Sequence, residues 1–242
     1  MISKNMFYKD INKNDYNYLD RFVQVLNDEQ MNKLFSAKII IFGVGGVGSA
    51  LAQFLVRSGI QNLDIVDFDR IDITNLNRQL LSFQSNVGEM KVEVMKKQLL
   101  DINPRLNINI FPIKLSQDNI NIFNFDDYDI VLDCIDDINA KKLLIKTVCL
   151  KKKYILSAMG AGKRYIDSPQ FEVVDITKTS YDPIAKIIRK FCVQEGINKL
   201  DVCYTKQKPC DFDCQNILSV VYYPVNMATV ICAKIINKLI TK

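Results

Sequence analysis

The residues that first suggest chemistry form a glycine-rich turn between an apolar run and a segment of helical spacing. Residues 43–48 read GVGGVG, which fits the pattern G-x-G-x-x-G. Gly43, Gly45 and Gly48 occupy the three glycine positions of the pattern, and Gly46 is an additional glycine between them. Because glycine has no side chain, the backbone amides can approach a phosphate at the helix N-terminus, where the helix dipole also favours an anion. The turn therefore predicts a nucleotide site.

A carboxylate and a set of polar residues follow this turn. Asp67 ends the next apolar run, where an acid binds the ribose hydroxyls of a nucleotide. Taken alone, the turn and Asp67 indicate an NAD-binding site. Hydride transfer, however, has no need of the polar residues that come next, which are Asp69, Asn75, Arg78, Gln79, Lys91 and Asp136.

An arginine and a lysine that converge on one crevice suit a triphosphate. Arg78 and Lys91 would offset its negative charge during attack at phosphorus. Asp136, which follows a later apolar run, could hold the accompanying Mg²⁺. The sequence thus favours ATP and Mg²⁺ as cofactors, with Arg78, Lys91 and Asp136 as candidate catalytic residues.

Alternating strands and helices must position these residues. Short apolar runs predict strands at residues 38–42, 63–66, 107–111, 128–132 and 154–156. Helical spacing predicts helices at residues 49–57, 92–102 and 139–150. The alternation predicts an α/β fold with a Rossmann-like open, mainly parallel sheet, whose ligand lies outside the carboxyl ends of the strands.

Further elements are predicted after the nucleotide-binding part. Strands are expected at residues 171–176 and 201–204, and Asp182 can cap a helix that has Pro183 at its first position. A closing helix is expected at 225–240. We interpret the chain as a single domain with an N-terminal helical segment (1–37), a nucleotide-binding core (38–156) and a basic substrate-binding and C-terminal part (157–242).

Composition excludes several classes of function. The chain has no histidine, which rules out a Ser-His-Asp triad and histidine zinc sites. Seven cysteines at irregular spacing, and a start without the apolar core of a secretory signal, favour a reducing, cytoplasmic location. Residues 217–233 are uncharged but interrupted by Pro224 and Asn226, which favours a buried strand and helix over contact with a membrane.

The charge is unevenly distributed along the chain. Residues 1–140 carry 14 basic and 19 acidic side chains, whereas residues 141–242 carry 18 basic and 8 acidic ones. A basic C-terminal half could neutralise the phosphates of a nucleic acid, although a solvated lysine-rich surface explains the charge as well.

The order of these motifs resembles the ubiquitin-activating-enzyme superfamily, whose members adenylate a carboxylate with ATP. Segments 157–162, 171–179, 181–186 and 188–190 are similar to its tRNA threonylcarbamoyladenosine dehydratase branch. The resemblance implies a single ThiF-like adenylation domain in which Gly45 belongs to the phosphate loop and Asp67 binds the ribose. It also implies that the triphosphate is bound by Asn75, Arg78 and Lys91, and Mg²⁺ by Asp136.

The branch implies a substrate and partners. Its members use ATP to convert N6-threonylcarbamoyladenosine in tRNA to a cyclic form with net loss of water. On this interpretation, the candidates for contact with tRNA are Lys163, Arg164, Lys186, Arg189 and Lys190. A homodimer is also expected. An alternative is an adenylyltransferase that activates the C-terminal glycine of a ubiquitin-like sulfur carrier, with a sulfur-relay or carrier protein as partner. A further alternative, of another class, is a nucleotide-binding scaffold without turnover.

The chain also departs from the superfamily pattern. Many members carry Arg-x-x-Arg near the N-terminus, and the second arginine reaches across a dimer interface. Here Arg21 occupies the first arginine position, but Gln24 replaces the second arginine. Carrier-activating relatives hold zinc with two C-x-x-C pairs, whereas residues 210–214 offer one wider pair, so no zinc is expected. Cys134 and Cys149 are predicted to lie in the core rather than to accept an acyl group.

Overall fold

One seven-stranded sheet organises the molecule. The computed structural model describes residues 18–165, 167–210 and 218–241. The strands are β1 (Lys38–Phe42), β2 (Asn62–Val66), β3 (Asn107–Phe111), β4 (Ile130–Asp133), β5 (Ile155–Ala158), β6 (Phe171–Asp175) and β7 (Asp201–Thr205). Their order is β3-β2-β1-β4-β5-β7-β6, with every neighbour parallel except the antiparallel pair of β6 and β7. The predicted open, mainly parallel sheet with added C-terminal strands is confirmed.

Helices cover both faces of the sheet. The α-helices of the described residues are α1 (Asp20–Val23), α2 (Asp28–Ser36), α3 (Gly46–Arg57), α4 (Lys91–Ile102), α5 (Ile138–Leu150), α6 (Pro183–Gln194) and α7 (Tyr222–Ile240). Alternate residues of β1 belong to different apolar clusters, since successive side chains of a strand point to opposite faces. The cluster containing Ile39 and Ile41 also contains residues of α2, α3, α4 and α7, and the cluster containing Ile40 and Phe42 contains residues of α5 and α6.

Local chemistry sets the helix starts. Asp182 accepts a hydrogen bond from the amide of Ala185 at 2.9 Å, which confirms the predicted cap and Pro183 start of α6. Asp137 caps α5 in the same way through the amides of Asn139 and Ala140. The predicted strand at 128–132 begins two residues later, because Tyr128 closes a 3₁₀ turn over Phe125–Asp127.

The apolar stretch 217–233 differs in part from expectation. Residues 218–220 have no regular structure, so the expected strand is wrong for this part, and residue 217 lies outside the described residues. The helix starts at Tyr222, three residues before the predicted start, and buries Met227, Ile231 and Ile235 against the sheet. Within the described ranges, no helix has both the length and the apolar character required to span a bilayer. Residues 1–17 of the predicted N-terminal helical segment likewise lie outside the described residues, and the rest of it holds α1 and α2.

Candidate nucleotide site

The glycine turn lies at the carboxyl end of β1 and leads into α3. Gly43 has φ +88°, and its amide donates a 2.7 Å hydrogen bond to the carbonyl of Val66. A Cβ at this position would lie 2.6 Å from the carbonyl oxygen of Cys134. Gly45 is the N-cap of α3 and provides no side-chain cap, so the first-turn amides are not capped by it. This geometry suits an anion at the helix start.

Two glycines of the turn have different roles: Gly48 is needed for folding, and Gly45 is needed for binding. A Cβ at Gly48 would lie 1.8 Å from the carbonyl oxygen of Gly43, whereas one at Gly45 would have only Gln79 Nε2 within 4 Å, at 3.7 Å. We expect Gly48→Ala to destabilise the fold by about 3 kcal/mol or more through overpacking. Gly45→Ala is expected to keep a near-normal unfolding midpoint but to weaken ATP binding at least tenfold. Denaturant unfolding and calorimetric titration check both, and equal effects on folding from the two variants would contradict the assignment.

Asp67 holds the turn from the end of β2. One carboxylate oxygen accepts the amide of Val44 at 2.7 Å, and the other accepts the amide of Asp69 at 2.8 Å. The side chain is buried, and burial raises its pKa, although the hydrogen bonds from Asp69 and Val44 and the charge of Lys91 act in the opposite direction. A carboxylate has lone pairs beyond these two bonds. Asp67 also lines the site cavity, so it can still accept ribose hydroxyls.

The raised pKa of Asp67 predicts a pH dependence of binding. The deprotonated carboxylate is the acceptor for both backbone amides and ribose, so ATP affinity should fall as pH decreases through this pKa. The fall should begin at a higher pH than an ordinary aspartate would give. ATP binding to wild type and to Asp67→Asn is measured between about pH 4.5 and 7.5. The nucleotide's own phosphates titrate in both experiments, so the difference between the two profiles reports Asp67. Parallel profiles for the two proteins would contradict the role.

The polar segment after β2 lies beside the turn. The Asn75 side chain accepts the amide of Asp72 at 3.1 Å and fixes a 3₁₀ turn. Gln79 is buried, its Nε2 faces Gly45, and its Oε1 has no hydrogen-bond partner among the described residues. A buried amide oxygen without a partner is costly, which fits a position that a ligand donor completes.

Arg78 and Lys91 hold their charges close to this segment. Arg78 Nη1 donates to the carbonyl of Thr74 at 2.8 Å and to Asn77 Oδ1 at 2.9 Å. The buried Lys91 Nζ lies 2.7 Å from Asp69 Oδ2, and its amide bonds to the Asp69 carbonyl at 3.0 Å. The structure therefore pairs Lys91 with Asp69, and a triphosphate would compete with that carboxylate for the ammonium group.

A cavity of about 270 Å³ lies outside the carboxyl ends of β1, β2 and β4. Of the predicted residues it brings together Gly43, Asp67, Asp69 and Asp136, whereas Asn75, Arg78, Gln79 and Lys91 lie outside its lining. Asp137 also lines it but is engaged as the cap of α5. In the described residues no cluster of three or more acidic or cysteine side chains could by itself hold a metal.

Sequence reasoning missed a buried ion pair beneath the Asp136 loop. Lys141 Nζ lies 2.8 Å from Asp133 Oδ2 and donates to the carbonyl of Ala158 at 3.0 Å and to Ser157 Oγ at 3.3 Å. Both charged side chains are fully buried. Residue type alone predicts a lysine at the surface, whereas helical spacing places Lys141 on the buried face of α5 with Leu144, Ile145 and Val148. The signal that could have found it is its position one turn after the start of α5, directly after the strand that ends in Asp133.

The predicted tRNA contacts divide into surface and interior residues. Lys186 and Lys190 are exposed on α6, and Lys163 is half-buried. Arg164 is 3% exposed, and its guanidinium bonds to the carbonyls of Gln207, Gly160 and Gly162. The prediction that it contacts tRNA is therefore wrong for this structure, because a buried guanidinium cannot reach a phosphate at the surface.

Arg189 is the remaining tRNA candidate, and it is engaged within the protein. Its Nη1 donates to the carbonyl and hydroxyl oxygens of Thr179. The bonds fix the chain segment that leads into α6.

The cysteines near the site are structural. Cys134 and Cys149 pack against the two apolar clusters, as predicted. Burial raises the pKa of the Cys134 thiol to about 12, with the charge of Asp133 acting in the same direction, so it is not a thiolate near neutral pH. Cys214 lies outside the described residues, so the expectation about the 210–214 pair stays a prediction.

The fold and this site define an adenylation protein of the ThiF family. The sequence matches that family over residues 19–165, and the chain belongs to it. The chain is 38% identical to a tRNA threonylcarbamoyladenosine dehydratase of Bacillus subtilis over 76% of this chain and 72% of the relative. A Haemophilus influenzae protein of the same name is 34% identical over 72% of this chain and 67% of the relative.

A solved structure extends the similarity to the C-terminal part. The crystal structure of the Escherichia coli tRNA N6-threonylcarbamoyladenosine dehydratase in complex with ATP has a TM-score of 0.88 and 26% sequence identity. The match covers 96% of this chain and 97% of that one. It therefore includes the basic part that follows residue 165, beyond the ThiF match.

Proposed function

We propose that this protein is an ATP-dependent tRNA threonylcarbamoyladenosine dehydratase. It closes N6-threonylcarbamoyladenosine in tRNA to the cyclic form with net loss of water. The observation that carries the proposal is similarity to an ATP-bound dehydratase along almost the whole chain, together with a cavity built from Gly43, Asp67 and Asp136. The sulfur-carrier alternative and the scaffold alternative explain neither the near full-length match nor the sequence similarity to named dehydratases.

The reaction proceeds in two steps that conserve atoms and charge. A carboxylate is a poor electrophile because its leaving group would be oxide. Its oxygen attacks the α-phosphorus of ATP, the bond to pyrophosphate breaks, and an acyl-adenylate forms. A nitrogen of the same side chain then attacks the acyl carbon, loses its proton, and AMP leaves with the former carboxylate oxygen. The second step depends on orientation more than on a strong nucleophile, which suits a chain without histidine.

The site residues have distinct tasks in this scheme. Asp67 accepts the ribose hydroxyls, and the amides of the Gly45 turn receive a phosphate. Arg78 and Lys91 offset charge on the triphosphate, with Asn75 and Gln79 donating or accepting hydrogen bonds beside it.

Asp136 fits a magnesium site of the kind completed by phosphates. Mg²⁺ is commonly bound by one or two carboxylates together with nucleotide phosphates and water, so a full protein cage is not needed. Asp136 is exposed at the cavity and, unlike Asp137, forms no helix cap. When bound, the ion would neutralise phosphate charge.

Dimer formation, tRNA as partner and a cytoplasmic location belong to the same proposal. The homodimer rests on the family resemblance, with Arg21 exposed on α1 as its candidate contributor. The cysteines of the described residues are free thiols, which supports a reducing compartment.

Nucleoside mass spectrometry tests the proposal directly. Purified protein is incubated with ATP, Mg²⁺ and tRNA that bears N6-threonylcarbamoyladenosine, and AMP and pyrophosphate are counted. We expect ATP-dependent loss of one water from the modified nucleoside, with one AMP per product. AMP formation only with a sulfur-carrier protein, or no AMP under any condition, would overturn the proposal.

A further inference from the structure

Three tyrosines form an exposed aromatic surface beside two lysines. Tyr165, Tyr181 and Tyr222 are exposed by 36%, 61% and 44%. Lys163 lies two positions before Tyr165 in the loop after β5, and Lys208 Nζ lies 4.8 Å from the centre of the Tyr181 ring. We call these five residues the tyrosine surface.

Backbone and side-chain contacts hold the tyrosine surface together. The Tyr222 hydroxyl donates to the carbonyl of Tyr165. The amide of Lys163 donates to the carbonyl of Leu218 at 2.7 Å, and its carbonyl accepts the amide of Cys210 at 2.6 Å. The loop after β5, the segment after β7 and the start of α7 therefore form one connected surface.

Two contacts place this surface at the edge of the nucleotide site. A Cβ at Gly46 would lie 3.2 Å from Pro224, which is two residues beyond Tyr222 on α7. Asn77 Nδ2 donates to the carbonyl of Ser219 at 2.8 Å, which joins the Arg78 segment to the chain just before α7. A macromolecule seated on the tyrosine surface would reach the adenylation site.

Tyr181 is held in an unfavourable backbone conformation. Its φ is +56°, and that of Lys163 is +59°, a region that bulky residues rarely occupy. The next residue, Asp182, is buried and fixed by the amides of Ala185 and Gly160. The exposed ring is thus presented from a rigid position rather than from a mobile loop.

We propose that the tyrosine surface is a stacking platform for unpaired bases of the tRNA loop that carries the modified adenosine. The inference rests on the proposed function and names the part of the protein that recognises the substrate. Exposed aromatic rings stack on unpaired bases regardless of sequence, and neighbouring lysines pair with the phosphates between them. Lys163 and Lys208 give this surface positive charge, within a part of the chain that has an excess of basic residues.

Ring removal without disturbance of the backbone tests the platform. Tyr181→Asn suits the conformation because asparagine tolerates positive φ, and Tyr222→Leu keeps the helix start. Each variant should raise the Kd for a fluorescent anticodon stem-loop RNA about tenfold or more, while the Kd for ATP and the unfolding midpoint stay near wild type. Tyr222→Phe retains the ring and should bind the RNA more tightly than Tyr222→Leu. Tyr18→Leu, at an exposed tyrosine before α1, is the matched control.

The outcomes separate this inference from the proposed function. RNA binding is measured without turnover, so lost binding in both variants supports the platform even if wild type forms no cyclic nucleoside. Binding within twofold of wild type overturns the platform even if cyclisation occurs. Light scattering on each variant adds a third outcome: loss of a dimer in step with lost RNA binding would assign the surface to a second copy of the chain and overturn the inference.

Discussion

Arg78→Ala is expected to lower ATP-dependent turnover by about 10²- to 10³-fold, the usual effect of removing one group that stabilises developing charge. Among the described residues, the Arg78 side chain hydrogen-bonds to Thr74 and Asn77 of its own segment, and it is half-exposed. Its loss should therefore leave the unfolding midpoint within about 0.5 kcal/mol of wild type. Steady-state AMP formation and denaturant unfolding measure the two effects separately.

Arg70 provides the matched control for this experiment. It lies eight positions earlier, and its Nη1 holds the carbonyl of Gly88 at 2.8 Å, in the same way that Arg78 holds Thr74. Neither arginine lines the cavity, but Arg70 lies outside the polar segment that holds Asn75, Arg78 and Gln79. We expect Arg70→Ala to retain turnover within a few-fold. Should Arg78→Ala retain turnover to the same degree, Arg78 would have no role in offsetting phosphate charge.

Lys141→Met is expected to destabilise the protein by about 3–5 kcal/mol, because it leaves the Asp133 carboxylate buried without its cation. Lys141 is enclosed by Asp133, Ser157 and the Ala158 carbonyl, so all three would lose a donor at once. The loss is a large part of the stability of an ordinary domain. The free energy of unfolding from denaturant titration gives the magnitude.

The double variant Asp133→Asn with Lys141→Met shows whether the charge is the cause. It removes both charges and should recover part of the lost free energy of unfolding, since no unpaired ion remains. Equal destabilisation by the single and the double variant would instead indicate a packing defect. ATP affinity should be measured on the same variants. Asp133 also accepts a hydrogen bond from the amide of Ile135, so its substitution should shift the Asp136 loop and change ATP binding.

The central strands of the sheet were predictable because they are buried on both faces, as residues 38–42 are. Residues 107–111 alternate asparagine with apolar residues at the edge of the sheet, and both observed strands have the predicted bounds. The sequence predicts β6 as a strand, but it does not predict that β6 runs antiparallel to β7, because strand direction depends on how the whole sheet assembles. Residues 218–221 show the limit: apolar character predicts burial, and it does not distinguish a strand from the chain that enters a helix.

The site was predictable by residue type but not by contact. A strand-turn-helix with glycines, followed by Asp67, predicts the phosphate loop and ribose acid from spacing alone. The pairing of Lys91 with Asp69, the buried position of Arg164 and the Lys141 ion pair depend on which segments meet in space. Arg164 illustrates the reason: its partners Gln207 and Asp182 are 43 and 18 positions away, and no local pattern records them.

The contact between α7 and the glycine turn has a consequence for biosynthesis. α7 packs along α3, the helix that the turn begins, and Pro224 lies against Gly46. A ribosome completes α3 long before it reaches α7, so during translation the part of α3 that α7 covers stays exposed until nearly the whole chain has emerged. Nucleotide binding therefore requires α7. Nascent chains that stop before residue 222 should be bound by chaperones or degraded by proteases rather than bind ATP.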